Sequence, residues 1–268
     1  MNLFRALFPV RRPLIGMVHL GPLPGSPRFG GDFEAALRRA RRDAEVLAAA
    51  GFDGLLVENY GDAPFLPEAV GPETIAAMAL ATARVMAAVP LPVGVNVLRN
   101  DARAALAVAA VTGARFIRVN VHTGLAATDQ GLIAGRAAET LRERARLGAG
   151  VAILADVLVK HSRPLYPDEP ARAALETAER GLADALVVSG EATGAEPAPD
   201  RVRAVREAVP GTPVLLGSGL SAANATALFP LADGAIAGTA VKRGGRTEGP
   251  VDPARARRLA AACREVGA

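Results

Sequence analysis

Eight short apolar runs, each followed by a stretch with helical spacing, decide what this chain can fold into. The runs occupy residues 14–20, 54–59, 92–97, 116–121, 151–157, 185–190, 213–217 and 234–238. The helical patterns occupy 32–50, 72–88, 101–112, 131–147, 169–180, 200–208, 222–229 and 253–266. A strand that returns parallel to its predecessor needs a crossover of a dozen or more residues, and a helix supplies it. Eight such units in 268 residues predict one α/β domain over 1–268, a (β/α)8 TIM barrel. A doubly wound open sheet is the competing arrangement. No GxGxxG follows the first run, which argues against that sheet as a dinucleotide binder.

The connections point the same way. Those from helix to strand are short (51–53, 90–91, 113–115, 148–150, 181–184), and several begin with Gly, as helix C-caps do. Those from strand to helix are long and irregular (21–31, 60–71, 123–130, 160–168, 191–199). A barrel carries its active site on the elaborated end, where strands run out into long loops.

Composition removes several function classes. Arg supplies 29 of the 31 basic residues, and the net charge is +4. The arginines of 38–42, 142–146, 201–206 and 255–258 stand at helical spacing among Ala and Glu, which reads as solvated outer faces. With no zinc finger pattern, Gly-rich RNA motif or aromatic strip, a nucleic-acid partner is not expected. The single Cys263 excludes an internal disulfide and fits a cytoplasmic protein. The most apolar helical stretch, 75–89, is too short to span a membrane and contains Arg84. Residues 1–13 place Leu3, Phe4, Leu7 and Phe8 among Arg5, Arg11 and Arg12. They read as an N-terminal extension packed on the barrel or on a partner subunit in a homo-oligomer, with a peripheral membrane contact as the alternative.

The protonatable residues gather at the ends of the runs. His19, His122, Lys160, His161 and Lys242 are all the His and Lys in the chain, and each closes or follows an apolar run. Side chains alternate in and out along a barrel strand. If the terminal polar residues face inward, His19, Glu58, Asn96, Asn120, Asp156 and Ser189 form a ring at the mouth, with Arg118 below Asn120. The last two units leave their strands as Gly217-Ser218-Gly219 and Gly238-Thr239, with Lys242 beyond. Glycine at a strand exit lets backbone N–H groups approach an anion, so these loops are expected to hold phosphate, with Lys242 as countercharge.

Several blocks resemble a known family. Ile15-Gly16-Met17-Val18-His19-Leu20-Gly21-Pro22-Leu23-Pro24-Gly25-Ser26-Pro27 is similar to the opening of the BtpA (SgcQ-like) family. Val57-Glu58-Asn59 with Gly61-Asp62, Gly94 to Asp101, and Phe116 to His122 followed by Thr128 to Gly131 resemble further blocks. So do Ala155-Asp156-Val157 with Lys160-His161, and Gly238-Thr239 with Lys242; the likeness covers residues 14–245. It implies a barrel related to ribulose-phosphate-binding barrels. The family's namesake is linked to photosystem I biogenesis at the membrane, and other members look like enzymes of unsettled substrate.

Asp156 is expected to act as general base, or to bind a divalent metal together with His19, His122, His161 and Glu58. The five donors lie on different loops with no HxH or HExxH spacing, so no metal or other cofactor is assigned. Lys160 is expected to polarise a carbonyl or transfer a proton. A Schiff base ranks lower, because the Asp156 carboxylate should raise the lysine pKa. His19 and His122 are the partner acids, with Glu58 in the same catalytic set. Asn96, Arg118, Asn120, Asp129, Ser189 and Thr193 are candidate substrate contacts, Asp129 doubling as an N-cap for a helix from Gly131. The expected function is acid–base chemistry on a phosphorylated sugar or ribose-phosphate compound, of isomerase or lyase type. The alternative is a non-catalytic assembly factor for a membrane complex.

Overall fold

Eight parallel strands close into a barrel in the computed structural model, which describes residues 2–165 and 169–267. Numbered along the chain together with the three strands of a small second sheet, they are β1 (Leu14–His19), β2 (Gly54–Glu58), β3 (Val93–Asn96), β4 (Phe116–Val119), β7 (Ala152–Asp156), β9 (Ala185–Val188), β10 (Val214–Leu216) and β11 (Ala235–Ala237). Each pairs with its neighbours in chain order, and β1 pairs with β11 to close the ring. The wrapping helices are α2 (Phe33–Ala49), α3 (Pro72–Met86), α4 (Ala102–Thr112), α5 (Ala137–Arg146), α6 (Pro170–Leu175), α7 (Pro199–Ala208), α8 (Ala225–Leu228) and α9 (Pro253–Gly267). The end of the loop expected at 160–168 lies outside the described residues.

The trimmed end of the barrel repeats one device. Asp53, Asp184 and Asp233 stand just before β2, β9 and β11. Each carboxylate accepts the first free N–H of the preceding barrel strand, from Leu14, Ile153 and Val214, at 2.8, 2.8 and 3.0 Å. Below this rim a short helix, α1 (Leu3–Leu7), lays Phe4 and Phe8 against Ile15, Met17, Leu56, Phe116, Leu154, Leu215 and Ile236. The Phe4 and Phe8 rings lie 5.1 Å apart and Phe8 lies 6.2 Å from Phe116. The apolar residues of the N-terminal segment thus fill the barrel floor. Full burial of each ring stabilises the plug by about 2–3 kcal/mol.

Two local expectations are corrected. The helix expected from Gly131 begins at Ala137. Residues before it form a β-hairpin, β5 (Leu125–Thr128) with β6 (Gly131–Ala134), and β8 (Ser162–Pro164) joins the other edge of β5. Asp129 is therefore a hairpin-turn residue, not an N-cap; Gly131, which follows the Asp129–Gln130 turn, takes a positive φ (97°), the place where hairpins with a bulge put glycine. The seventh helix is also shorter than 222–229, reduced to the single turn α8 and a 3-10 turn at Phe229–Leu231.

Candidate active site

Inward alternation along the strands places Met17 below His19, Leu56 below Glu58, Phe116 below Arg118, Leu154 below Asp156 and Val187 below Ser189. Hydrocarbon therefore fills the lower barrel and polar groups fill the top. Glycine makes room where side chains are largest: an added Cβ at Gly94 would sit 2.1 Å from the Phe116 ring.

The polar ring divides into two bonded groups. In the first, Asn96 Nδ2 donates to Glu58 Oε2 at 2.7 Å, and His19 Nε2 lies 3.6 Å from Glu58 Oε1. The His19 ring also packs on Tyr60, with centroids 4.9 Å apart. Burial, then the positive charges of Lys242, Lys160, Arg39 and Arg118, hold the His19 pKa well below its ordinary value, so the ring is neutral at pH 7. In the second group Arg118 binds Asp156 twice, Nε to Oδ2 at 2.9 Å and Nη2 to Oδ1 at 2.7 Å. Asn120 Nδ2 donates to Oδ2 at 3.2 Å and Ser189 Oγ to Oδ1 at 3.4 Å. Asp156 thus accepts four hydrogen bonds, with its charge neutralised by a buried guanidinium.

Lys160 stands apart from both groups. No carboxylate among the described residues comes within ion-pair distance of its amino group, which faces the mouth. Burial is the main cause that lowers its pKa to about 8; Arg118 adds to it, and the attraction of Glu58 and Asp156 only partly offsets it. Asp156 raises this pKa, as expected, but burial and Arg118 outweigh the carboxylate and the net shift is downward. The loop that presents Lys160 is strained. Leu158 and His161, neither of them glycine, take φ of 54° and 56°. Arg99 Nη2 donates to the Lys160 carbonyl at 2.7 Å, and His161 Nε2 accepts from the Thr193 N–H at 3.1 Å.

Two cavities of about 410 and 500 Å³ open at the mouth and share His19, Glu58, Arg118, Lys160 and Thr193 as walls. The first is bounded by Gly217, Ser218, Gly219, Leu220, Gly238, Thr239 and Ala240. Gly219 is doubly required. Its φ is 74°, and a Cβ would meet the Glu196 backbone at 2.2 Å. No acceptor among the described residues takes the N–H of Gly219 or Leu220. Asn224 fixes this turn, donating to the Gly219 carbonyl at 2.9 Å and accepting from the Ser221 N–H at 2.8 Å. Ser218 braces it by donating to the Ala195 carbonyl at 2.8 Å. Thr239 Oγ1 is shared with Thr247 at 2.9 Å.

Three expected site residues lie elsewhere or serve otherwise. Lys242 is fully buried, with Nζ on Asp43 Oδ2 at 2.9 Å, and does not face the glycine loops. Arg255, read from sequence as a solvated helix face, borders that cavity instead, its Nε bonded to the Ala240 carbonyl. His122 leaves the mouth and bonds the Gly181 carbonyl through Nε2 at 2.8 Å. The strand ends at Val119, so inward alternation does not extend to residue 122. Asp129 borders the second cavity from the exposed hairpin tip. Among the described residues no three His, Cys, Asp or Glu side chains converge on a metal-sized site. Arg99 was missed. Its signal was available: like Lys160, it follows directly on an apolar run.

A parallel eight-stranded barrel with its polar ring and glycine loops at the strand C-terminal end is the class of protein this geometry defines. The chain belongs to the BtpA family, whose model matches residues 10–265. It is 49% identical over 255 residues to the Photosystem I biogenesis protein BtpA of Synechocystis sp., covering 95% of this chain and 88% of that protein. It is 48% identical to the uncharacterised protein TK2179 of Thermococcus kodakarensis, covering 96% and 97% of the two chains. A Mycobacterium tuberculosis tryptophan synthase chain superposes with a TM-score of 0.59 at 22% identity, covering 95% of this chain and 93% of that one. That likeness is one of fold. No described helix is long and apolar enough to cross a membrane.

Proposed function

We propose that this chain is an enzyme that moves a proton on a phosphorylated sugar or a ribose-phosphate-bearing small molecule, in a reaction of isomerase or lyase type. One observation carries the reading. Lys160, with no carboxylate partner among the described residues and a pKa lowered to about 8, faces the same cavity as the glycine turns at Gly219 and Gly238. An amine that titrates near working pH exchanges protons in either direction, and such a group contributes roughly 10²–10⁴-fold to a rate. Glu58, oriented by Asn96, and neutral His19 stand beside it to relay the proton. Asp156 serves in this reading as a positioning residue that holds Arg118 in the ring. The glycine turns supply N–H groups to the phosphate, and Arg255 supplies countercharge.

The test does not depend on which phosphate compound is the substrate. The whole protein is screened by thermal shift against inorganic phosphate and a panel of phosphosugars. Those that stabilise it are then incubated in D2O, and NMR follows deuterium entry beside the carbonyl carbon. Stabilisation by phosphate compounds and deuterium entry lost in Lys160→Met are expected. A panel that neither stabilises the protein nor exchanges would sink the reading.

The second reading, a membrane-complex assembly factor, is favoured by the name of the Synechocystis relative. An almost equal identity to a Thermococcus kodakarensis protein whose name carries no such role weighs against reading it from the one relative alone. Partners retained in a pulldown after Asp156 and Lys160 are both changed to Ala would support it.

A further inference from the structure

Among the described residues, Arg99, Arg118 and Lys242 are the most deeply buried basic side chains, and two of the three are neutralised. Arg118 is paired with Asp156 at 2.7 Å, and Lys242 with Asp43 at 2.9 Å. Arg99, only 5% exposed, has no carboxylate within ion-pair distance among the described residues. Among the described residues its guanidinium makes one bond, from Nη2 to the Lys160 carbonyl, and its buried Nε–H has no acceptor. A buried guanidinium without a partner costs several kcal/mol, so a structural role alone would have selected a neutral donor here.

The surroundings repeat the deficit. Arg99 borders the second cavity of the mouth, about 500 Å³, and does not border the glycine-lined one. Two more buried polar atoms beside it are unpartnered: Asn120 Oδ1 and His19 Nδ1. Lys160, also without a carboxylate partner among the described residues, stands between the two cavities as a wall of both. The negative groups bordering the second cavity are otherwise engaged or at its rim. Glu58 is held by Asn96 and faces His19, and Asp129 and Glu248 are exposed. Arg28, on the first long loop, borders the cavity from the solvent side.

We propose that Arg99 is a second anion-binding group, so that the substrate carries a carboxylate or a second phosphate at the end opposite the phosphate seated on Gly219 and Gly238. The substrate class is then a phosphorylated sugar acid or a sugar bisphosphate, stretched across Lys160 with its hydroxyls facing Asn120 and His19. This rests on the reading of the glycine turns as a phosphate seat. A guanidinium edge meets a carboxylate or a phosphate through two parallel N–H bonds, which distinguishes it from a lysine point charge.

Calorimetric titration of the full chain with four probes tests it: inorganic phosphate, ribose 5-phosphate, 6-phosphogluconate and fructose 1,6-bisphosphate. One of the two doubly anionic probes should bind about tenfold or more tightly than ribose 5-phosphate, a charge-assisted bidentate pair being the added contact. The better of the two says whether the far seat takes carboxylate or phosphate. Arg99→Gln, which keeps a donor for the Lys160 carbonyl, should erase that advantage and leave inorganic phosphate and ribose 5-phosphate unchanged. Arg99→Lys should keep part of it. Equal binding of all three sugar phosphates by the unmodified protein overturns the inference without any variant, and so does an advantage that survives in Arg99→Gln. If inorganic phosphate and ribose 5-phosphate fail to bind while a doubly anionic probe binds through Arg99, the phosphate seat fails and the Arg99 site stands. If no probe binds, both fall.

Discussion

The chain has two lysines, each just beyond a barrel strand, and the protein treats them in opposite ways. After β11, Lys242 turns outward from the mouth to Asp43 on α2, and the same carboxylate accepts the Val251 N–H at 2.8 Å. The turn beyond it uses glycine where φ is positive, at Gly244 and Gly245. After β7, Lys160 has no counterion among the described residues, and its loop forces Leu158 and His161 into positive φ. One loop is arranged for stability. The other keeps a charged group available at a cost in stability, the usual sign of a site whose demands differ from those of folding.

Removing each lysine should separate the two roles. Lys242→Ala leaves Asp43 buried and unpaired, which costs about 3–5 kcal/mol and a roughly 10 °C drop in Tm on thermal denaturation. Asp43→Leu combined with Lys242→Met, which removes both charges, should recover most of that loss. If the single change is harmless, the ion pair is not the staple described here.

Lys160→Met should act in the other direction, raising stability at pH 7 by on the order of 2 kcal/mol in denaturant titration. The folded pKa is about 8 against an ordinary 10.5, so between those values the unfolded chain holds a proton the folded chain has released. Stability from this group therefore rises as pH climbs from about 8 to 10.5, and below 8 the whole penalty is present. The advantage of Lys160→Met should shrink over that interval. A variant less stable than the parent at pH 7 would show that Lys160 is a packing residue.

The contrast between the lysines also marks how far the sequence could be read. Periodicity located the eight barrel strands to within a residue or two, because buried parallel strands are continuous apolar runs bounded by glycine and polar residues. Alternation then placed His19, Glu58, Asn96, Asn120, Asp156 and Ser189 on the inward face, each directly above an inward apolar residue or glycine except Asn120, which stands over Arg118. What stayed hidden was pairing. Asp43 lies 199 residues from Lys242 and follows Arg41 and Arg42, so it read as part of a charged outer face. The hairpin was missed because only Gly135 and Arg136 separate Gly131 to Ala134 from the helix at Ala137, and a four-residue apolar stretch fits either element. His122 was misplaced because alternation was carried past the end of its strand.

The histidines give the finest version of the same comparison, and the smallest effect. His19 and His122 are both buried, and burial holds both pKa values below the ordinary value. His122 is fixed to the Gly181 carbonyl away from the cavities. His19 sits against the Gly238 loop, the proposed phosphate seat: a Cβ on Gly238 would lie 2.9 Å from His19 Cε1. An anion seated at Gly238 favours the protonated ring, so inorganic phosphate should raise the His19 pKa by up to about one unit. It should leave His122 unmoved. With only three histidines in the chain, each ring signal can be followed separately in an NMR titration with and without phosphate. A shift of both rings together would report a global change, whereas a shift of His19 alone places the anion at the loop beside it.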